Sequence, residues 1–177
     1  MRKKYTCNHK PESIAALAKS PFESGVRNFN TISKYFMYYA PNIECRLSRG
    51  RIEAERANEV FQKMITAADM HGKYKILKKV QKVSWNELEL DGDMICLQCS
   101  RMTFGQREEE SLTALLRHIR NAFAHGLVYV KKRKNKPANI LLEDKNGNRR
   151  LTARIVMTIE QLEKWKAILE NEVPIGE

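Results

Sequence analysis

Arg120, Asn121 and His125 are the side chains whose types and spacing best suit chemistry in this sequence. They close the run Leu115-Leu116-Arg117-His118-Ile119-Arg120-Asn121-Ala122-Phe123-Ala124-His125-Gly126. An imidazole gives or takes a proton near neutral pH. A guanidinium grips a phosphate bidentately and stabilises charge developing on it. At about 100° per residue, Leu112, Leu115, Leu116, Ile119 and Phe123 share one apolar arc of a helix. Arg117, Asn121, Ala124 and His125 fall opposite, with Arg120 on one flank and His118 on the other. Asn121 and His125 are four residues apart and therefore neighbours. Gly126 suits the left-handed position that follows a helix end. The plainer reading is a solvated face on which His125 only caps the helix.

Arg120-Asn121-Ala122-Phe123-Ala124-His125 resembles the R-x4-6-H motif of the HEPN superfamily, in its R-N-x-x-x-H form. The basic segment and hairpin that follow resemble the branch named after the plasmid-encoded pEK499 p136 protein. The resemblance implies an all-helical fold and a metal-independent endoribonuclease, of the kind found in bacterial defence and toxin–antitoxin systems. It also implies a two-fold homodimer with both motifs facing one cleft. His125 would act as base or acid, Arg120 would stabilise the phosphorane charge, and Asn121 would orient His125 or the phosphate. No cofactor and no catalytic metal are called for. An antitoxin or regulatory protein is a further partner that the resemblance brings with it. HEPN toxins paired with nucleotidyltransferase antitoxins tend to carry tyrosine two residues after the histidine. Here Leu127 stands there and tyrosine comes at Tyr129, which puts that pairing in doubt. The reading from another class is a non-catalytic HEPN-like module that binds RNA, a nucleotide or a protein.

The elements around the motif must hold it in place. Thr103-Phe104-Gly105-Gln106 has the capping-box spacing, so the motif helix is expected over 103–126, with Glu108, Glu109 and Glu110 as partners of its dipole. Residues 127–177 read as a strand from Leu127, a hairpin around Asn146-Gly147 and a final helix opened by Thr158-Ile159-Glu160-Gln161. Residues 1–102 read as helical scaffold. A short helix opens at Pro11 and runs to about Lys19, a second runs from Phe22 to Tyr39 before Pro41, and a third from Arg51 to His71. Lys73, Lys75, Lys78, Lys79 and Lys82 with Tyr74, Leu77 and Val80 suggest a short basic helix. Trp85 to Cys99 fits either a small hairpin or a turn between helices. The expected fold is mainly α: one domain over 1–177, a HEPN-like helical bundle with a small C-terminal antiparallel β-hairpin.

Charge points to a polyanionic partner. The 177 residues carry a net charge of +11, which suggests nucleic acid first and an acidic membrane surface or acidic protein next, and charge alone does not choose among them. Arg117, His118, Lys131, Lys132, Arg133 and Lys134 are the expected RNA contacts, the last four in a basic loop beside the motif. Tyr35, Phe36, Tyr38 and Tyr39 could stack on bases, but aromatics at helical spacing more often fill a core. Arg46, Arg49, Arg51 and Arg56 gather at a helix start, where a phosphate or plain solvent would suit them. Met1-Arg2-Lys3-Lys4 leads into no signal-peptide core and no apolar run spans a bilayer, so a cytoplasmic protein without membrane attachment is expected. Cys7-Asn8-His9 and Cys96-Leu97-Gln98-Cys99 could together form a zinc site of the Cys3His type. The C-x-H spacing is unusual and the halves lie far apart, so reduced thiols are the bland alternative.

Overall fold

A computed structural model describes residues 7–17, 25–78, 88, 90, 92–107 and 109–174. The fold is α/β rather than mainly α. Its centre is a five-stranded mixed sheet of order β2-β4-β7-β6-β5. These strands are β2 (Tyr74–Lys78), β4 (Arg101–Gln106), β5 (Val128–Arg133), β6 (Lys136–Lys145) and β7 (Leu151–Thr158). Strands β2 and β4 run parallel, and the remaining neighbours are antiparallel. A second, two-stranded ladder joins β1 (Glu12–Ser13) to β3 (Met94–Ile95).

The helical side holds α1 (Phe29–Lys34), a π-helical segment Tyr35–Tyr39, α2 (Ala40–Ser48), α3 (Ala54–Ala67), α4 (Ser111–Ala124) and α5 (Ile159–Glu172). Proline 41 does not end the second helix. It lacks the N–H that would serve the carbonyl of Met37, and the widened π turn, in which the Ala40 N–H reaches Tyr35 O, carries the chain past it. Tyr35 and Phe36 are buried, whereas Tyr38 and Tyr39 are exposed.

The sheet is buried on both faces, which explains why its strands read poorly from sequence. Ile140 and Leu142 on β6 and Ala153, Ile155 and Met157 on β7 face the helices in the main core. The alternate residues Tyr129, Leu141 and Val156 face a second core with Ile14, Leu88, Leu90, Ile95 and Leu97. Period-two alternation therefore carries apolar residues on both sides, and the polar-out signal of a half-buried strand disappears.

Three expected helices are corrected. Thr103 and Gln106 belong to β4, so the capping-box reading fails there and the motif helix begins at Ser111. Tyr74–Lys78 is an edge strand whose Tyr74 and Ile76 pack on the core; lysines on an edge discourage pairing with another chain. Glu12 to Ala16 is a strand followed by one 3-10 turn rather than a helix. Lys19, Phe22, Lys79, Val80, Lys82 and Trp85 lie outside the described residues. The final helix begins as expected: the Thr158 hydroxyl accepts the Gln161 N–H at 3.2 Å, and Gln161 Oε1 accepts the Thr158 N–H at 2.8 Å.

The motif helix α4 lies between the sheet and helices α2 and α3. All five residues of its expected apolar arc are buried, together with Ala114, His118 and Ala122. Each buried leucine contributes about 1.5–3 kcal/mol. That burial fixes the rotation of α4 and hence the direction of its polar face.

Candidate functional site

The polar face of α4 is open. Arg117, Arg120 and Asn121 are partly exposed, and Ala124 and His125 are exposed. Helix α4 ends in a Schellman closure: the Gly126 N–H donates to Phe123 O at 3.2 Å and the Leu127 N–H to Ala122 O at 2.9 Å. Gly126 adopts φ +64°, the left-handed turn that its lack of Cβ permits. His125 is the capping residue, its N–H bound to Asn121 O at 2.9 Å. Its imidazole thus projects from the point where the buried helix turns into β5.

Arg120 is held from the helical layer. Its Nη1 donates to Glu44 Oε2 at 2.8 Å, and its Nη2 lies 3.4 Å from Asn121 Oδ1. A guanidinium carries five N–H donors, so these bonds leave capacity for a phosphate. Glu44 is buried in α2, and its Oε1 has no hydrogen-bond partner among the described residues. Burial raises the Glu44 carboxyl above its usual range, although Arg120 and Arg117 pull the other way.

Asn121 is held from the sheet. Its Nδ2 donates to Asp144 Oδ2 at 3.2 Å, and the same oxygen lies 2.6 Å from His118 Nδ1. The other ring nitrogen of His118 is 2.7 Å from Gly105 O on β4. Burial pushes the Asp144 carboxyl up, but the hydrogen bond and charge of His118, helped by Asn121 and Thr152, outweigh it and hold the group below the usual carboxylate range. Arg117 donates to Glu109 Oε1 at 2.5 Å and approaches His118 Nε2 at 3.5 Å. The amide of Asn121 therefore bridges two supports, Asp144 on one side and Arg120 with Glu44 on the other.

The expected contacts separate into two places. Arg117, Arg120, Asn121 and His125 share the open face of α4. His118 is buried beneath it at 2% exposure, so it meets Asp144 rather than solvent. The basic segment is not a loop beside the motif. Lys131, Lys132 and Arg133 lie on β5, and Lys134-Asn135 forms the tight turn to β6. That turn is about 20 Å along the strand from Val128, where the motif helix hands over to the sheet. Lys131 is paired with Glu12.

Glu44 and Asp144 escaped the sequence reading. Glu44 carried a signal: with Ala40, Ile43 and Leu47 it lies on the buried stripe of α2, at a helical spacing where a carboxylate is out of place. Asp144 carried none, because its role depends on how β6 passes α4. Far from these residues in sequence, Cys7, His9, Cys96 and Cys99 also converge, with one ligand atom of each within 4.8 Å of the others.

Helix α4 thus buries one side and presents Arg120-Asn121 and the capping His125 on the other. The HEPN pEK499 p136 family model matches residues 31–170, and the chain belongs to that family. Among curated proteins and among solved structures, none matches. No helix of the described residues is long and apolar enough to cross a membrane.

Proposed function

We propose that this HEPN domain is a metal-independent endoribonuclease, cleaving RNA by attack of a ribose 2′-OH on the adjacent phosphate. The observation that supports it best is the common open face of Arg120 and His125 on a helix whose opposite side is buried, with Arg120 oriented by Glu44 and Asn121 fixed by Asp144. Preorganised donors aimed at developing charge are the largest single source of catalysis in such sites.

In the proposed reaction His125 takes the 2′-OH proton, and the 2′-oxygen bonds to phosphorus. Arg120 stabilises the added charge on the pentacoordinate phosphate. The 5′-oxygen leaves with a proton from a second imidazole, leaving a 2′,3′-cyclic phosphate and a 5′-OH. The second imidazole is His125 of a second copy, because one chain supplies only one histidine on this face. A two-fold pairing of the α4 faces would bring the two together. Asn121, tied on both sides, acts on the position of Arg120 rather than on the His125 ring. A role in bacterial defence or toxin–antitoxin biology, in the cytoplasm, fits this chemistry.

The test is incubation of single-stranded RNA with the full chain in EDTA, followed by analysis of the product ends. Cleavage with cyclic phosphate ends supports the proposal. Binding without cleavage from mildly acidic to mildly basic pH would instead identify a non-catalytic RNA-binding module. Sedimentation should show a dimer, and the rate per chain should fall on dilution below its dissociation constant.

A further inference from the structure

We propose that Cys7, His9, Cys96 and Cys99 bind one zinc ion, forming a closed structural Cys3His site that fastens the N-terminal segment to the turn after β3. The four ligand atoms come from two segments about ninety residues apart and lie within 4.8 Å of one another. Cys7 Sγ is 3.6 Å from His9 Nδ1, and Cys99 Sγ is 3.4 Å from the same nitrogen. Tetrahedral zinc, with bonds near 2.3 Å to sulfur and 2.0–2.1 Å to nitrogen, places S and N about 3.5 Å apart and two sulfurs about 3.8 Å apart. Cys7 Sγ and Cys99 Sγ are 3.2 Å apart, closer to that spacing than to the 2.05 Å of a disulfide.

The local backbone is built for thiolates. In each half an N–H two residues on donates to the sulfur: Gln98 N to Cys96 Sγ at 3.3 Å, and His9 N to Cys7 Sγ at 3.5 Å. Hydrogen bonds of this kind stabilise and orient ligating sulfur. Arg101, fully buried at the start of β4, donates to the carbonyls of Cys96 and Cys99, both at 2.9 Å, and to Leu88 O at 2.6 Å. Three thiolates and a neutral imidazole on a divalent ion leave one net negative charge, and the Arg101 guanidinium stands against the turn that carries two of those thiolates. With four protein ligands there is no open position, so the site is structural rather than catalytic.

The fold also gives the ion work to do. Residues 7–17 cover the second face of the sheet, yet Ile14 is their one buried apolar side chain and their ladder to β3 has two residues. The Ile14 N–H bond to Asp93 O at 2.9 Å and the Glu12 pair with Lys131 add little, since ordering the backbone costs more than such contacts return. A metal staple is how small segments with too little core are held. Cys7 and His9 lie outside the matched stretch 31–170, whereas Cys96 and Cys99 lie within it.

The experiment is elemental analysis of the full chain, purified under reducing conditions without chelator. One zinc per chain is expected. Cys7→Ser, Cys99→Ser and His9→Ala should each lower bound zinc about tenfold, while His9→Cys and the control Cys45→Ser retain it. Cobalt titrated into the zinc-stripped wild-type chain should give the visible bands and thiolate charge transfer of a tetrahedral thiolate site, a readout independent of how well the variants fold. Metal-free protein with reduced thiols and no cobalt spectrum would overturn the proposal, as would a stoichiometric Cys7–Cys99 disulfide.

Discussion

Glu44 on α2 holds Arg120 on α4 at 2.8 Å while its own second oxygen stays buried and, among the described residues, unmatched. The pair favours geometry over stability. Because burial raises the Glu44 carboxyl, the folded protein keeps that proton longer than the unfolded chain. Its contribution to stability falls as pH rises from the ordinary carboxylate value through the raised one. Glu44→Gln should therefore leave the melting temperature at pH 7 unchanged or higher. RNA cleavage should fall about tenfold, ~1.4 kcal/mol of transition-state stabilisation, in kcat more than in KM. A drop in melting temperature matching the drop in rate would make Glu44 merely structural.

Asp144 has the opposite sign. Its carboxyl is held below the usual range, so its contribution is present above the unfolded value near 3.9 and disappears as pH falls through the depressed folded value. Asp144→Asn breaks a buried pair with His118 and should cost about 3 kcal/mol at pH 7. Stability measured from pH 6 down to pH 2 should be flatter in the variant than in the wild type. Parallel curves would deny the pair its role.

Much of the motif was legible in the sequence, and much of its frame was not. The wheel placed Leu112, Leu115, Leu116, Ile119 and Phe123 inside because one amphipathic helix is a local pattern, and Gly126 marked its end. Strand β2 read as a helix because a five-residue edge strand with lysines mimics a short basic helix. Thr103 and Gln106 had the spacing of a cap, but tertiary pairing of β4 with β2 and β7 overrode it. His118 looked like a flank residue because nothing local reveals that β6 brings Asp144 over it. Cys7 with His9 and Cys96 with Cys99 are visible in the sequence as two half-motifs, and only the fold brings them together.

Gly126 tests the turn that presents His125. An added Cβ would meet nothing within 4 Å, so Gly126→Ala is opposed only by the left-handed backbone. The cost should be about 1–2 kcal/mol in thermal or chemical unfolding. Gly126→Asn should cost less, since asparagine tolerates that conformation better. Equal costs for both would point to a side-chain clash instead.

The basic tip of β5 and β6 either grips RNA or only guards a sheet edge. If it grips, Lys132→Ala with Lys134→Ala should reduce the salt dependence of RNA affinity by a slope of about 1–2. Cleavage of oligonucleotides too short to reach from the motif to the tip should be unaffected. An unchanged slope with long RNA would assign these lysines to edge protection.

The most direct measurement is the cleavage rate of His125→Ala beside the wild type, in EDTA, with circular dichroism recorded in the same buffer. The account predicts RNA cut to cyclic phosphate ends by the wild type and a loss of at least about a hundredfold in a variant that is still folded. Equal rates in the two proteins, or intact RNA with both, would contradict it.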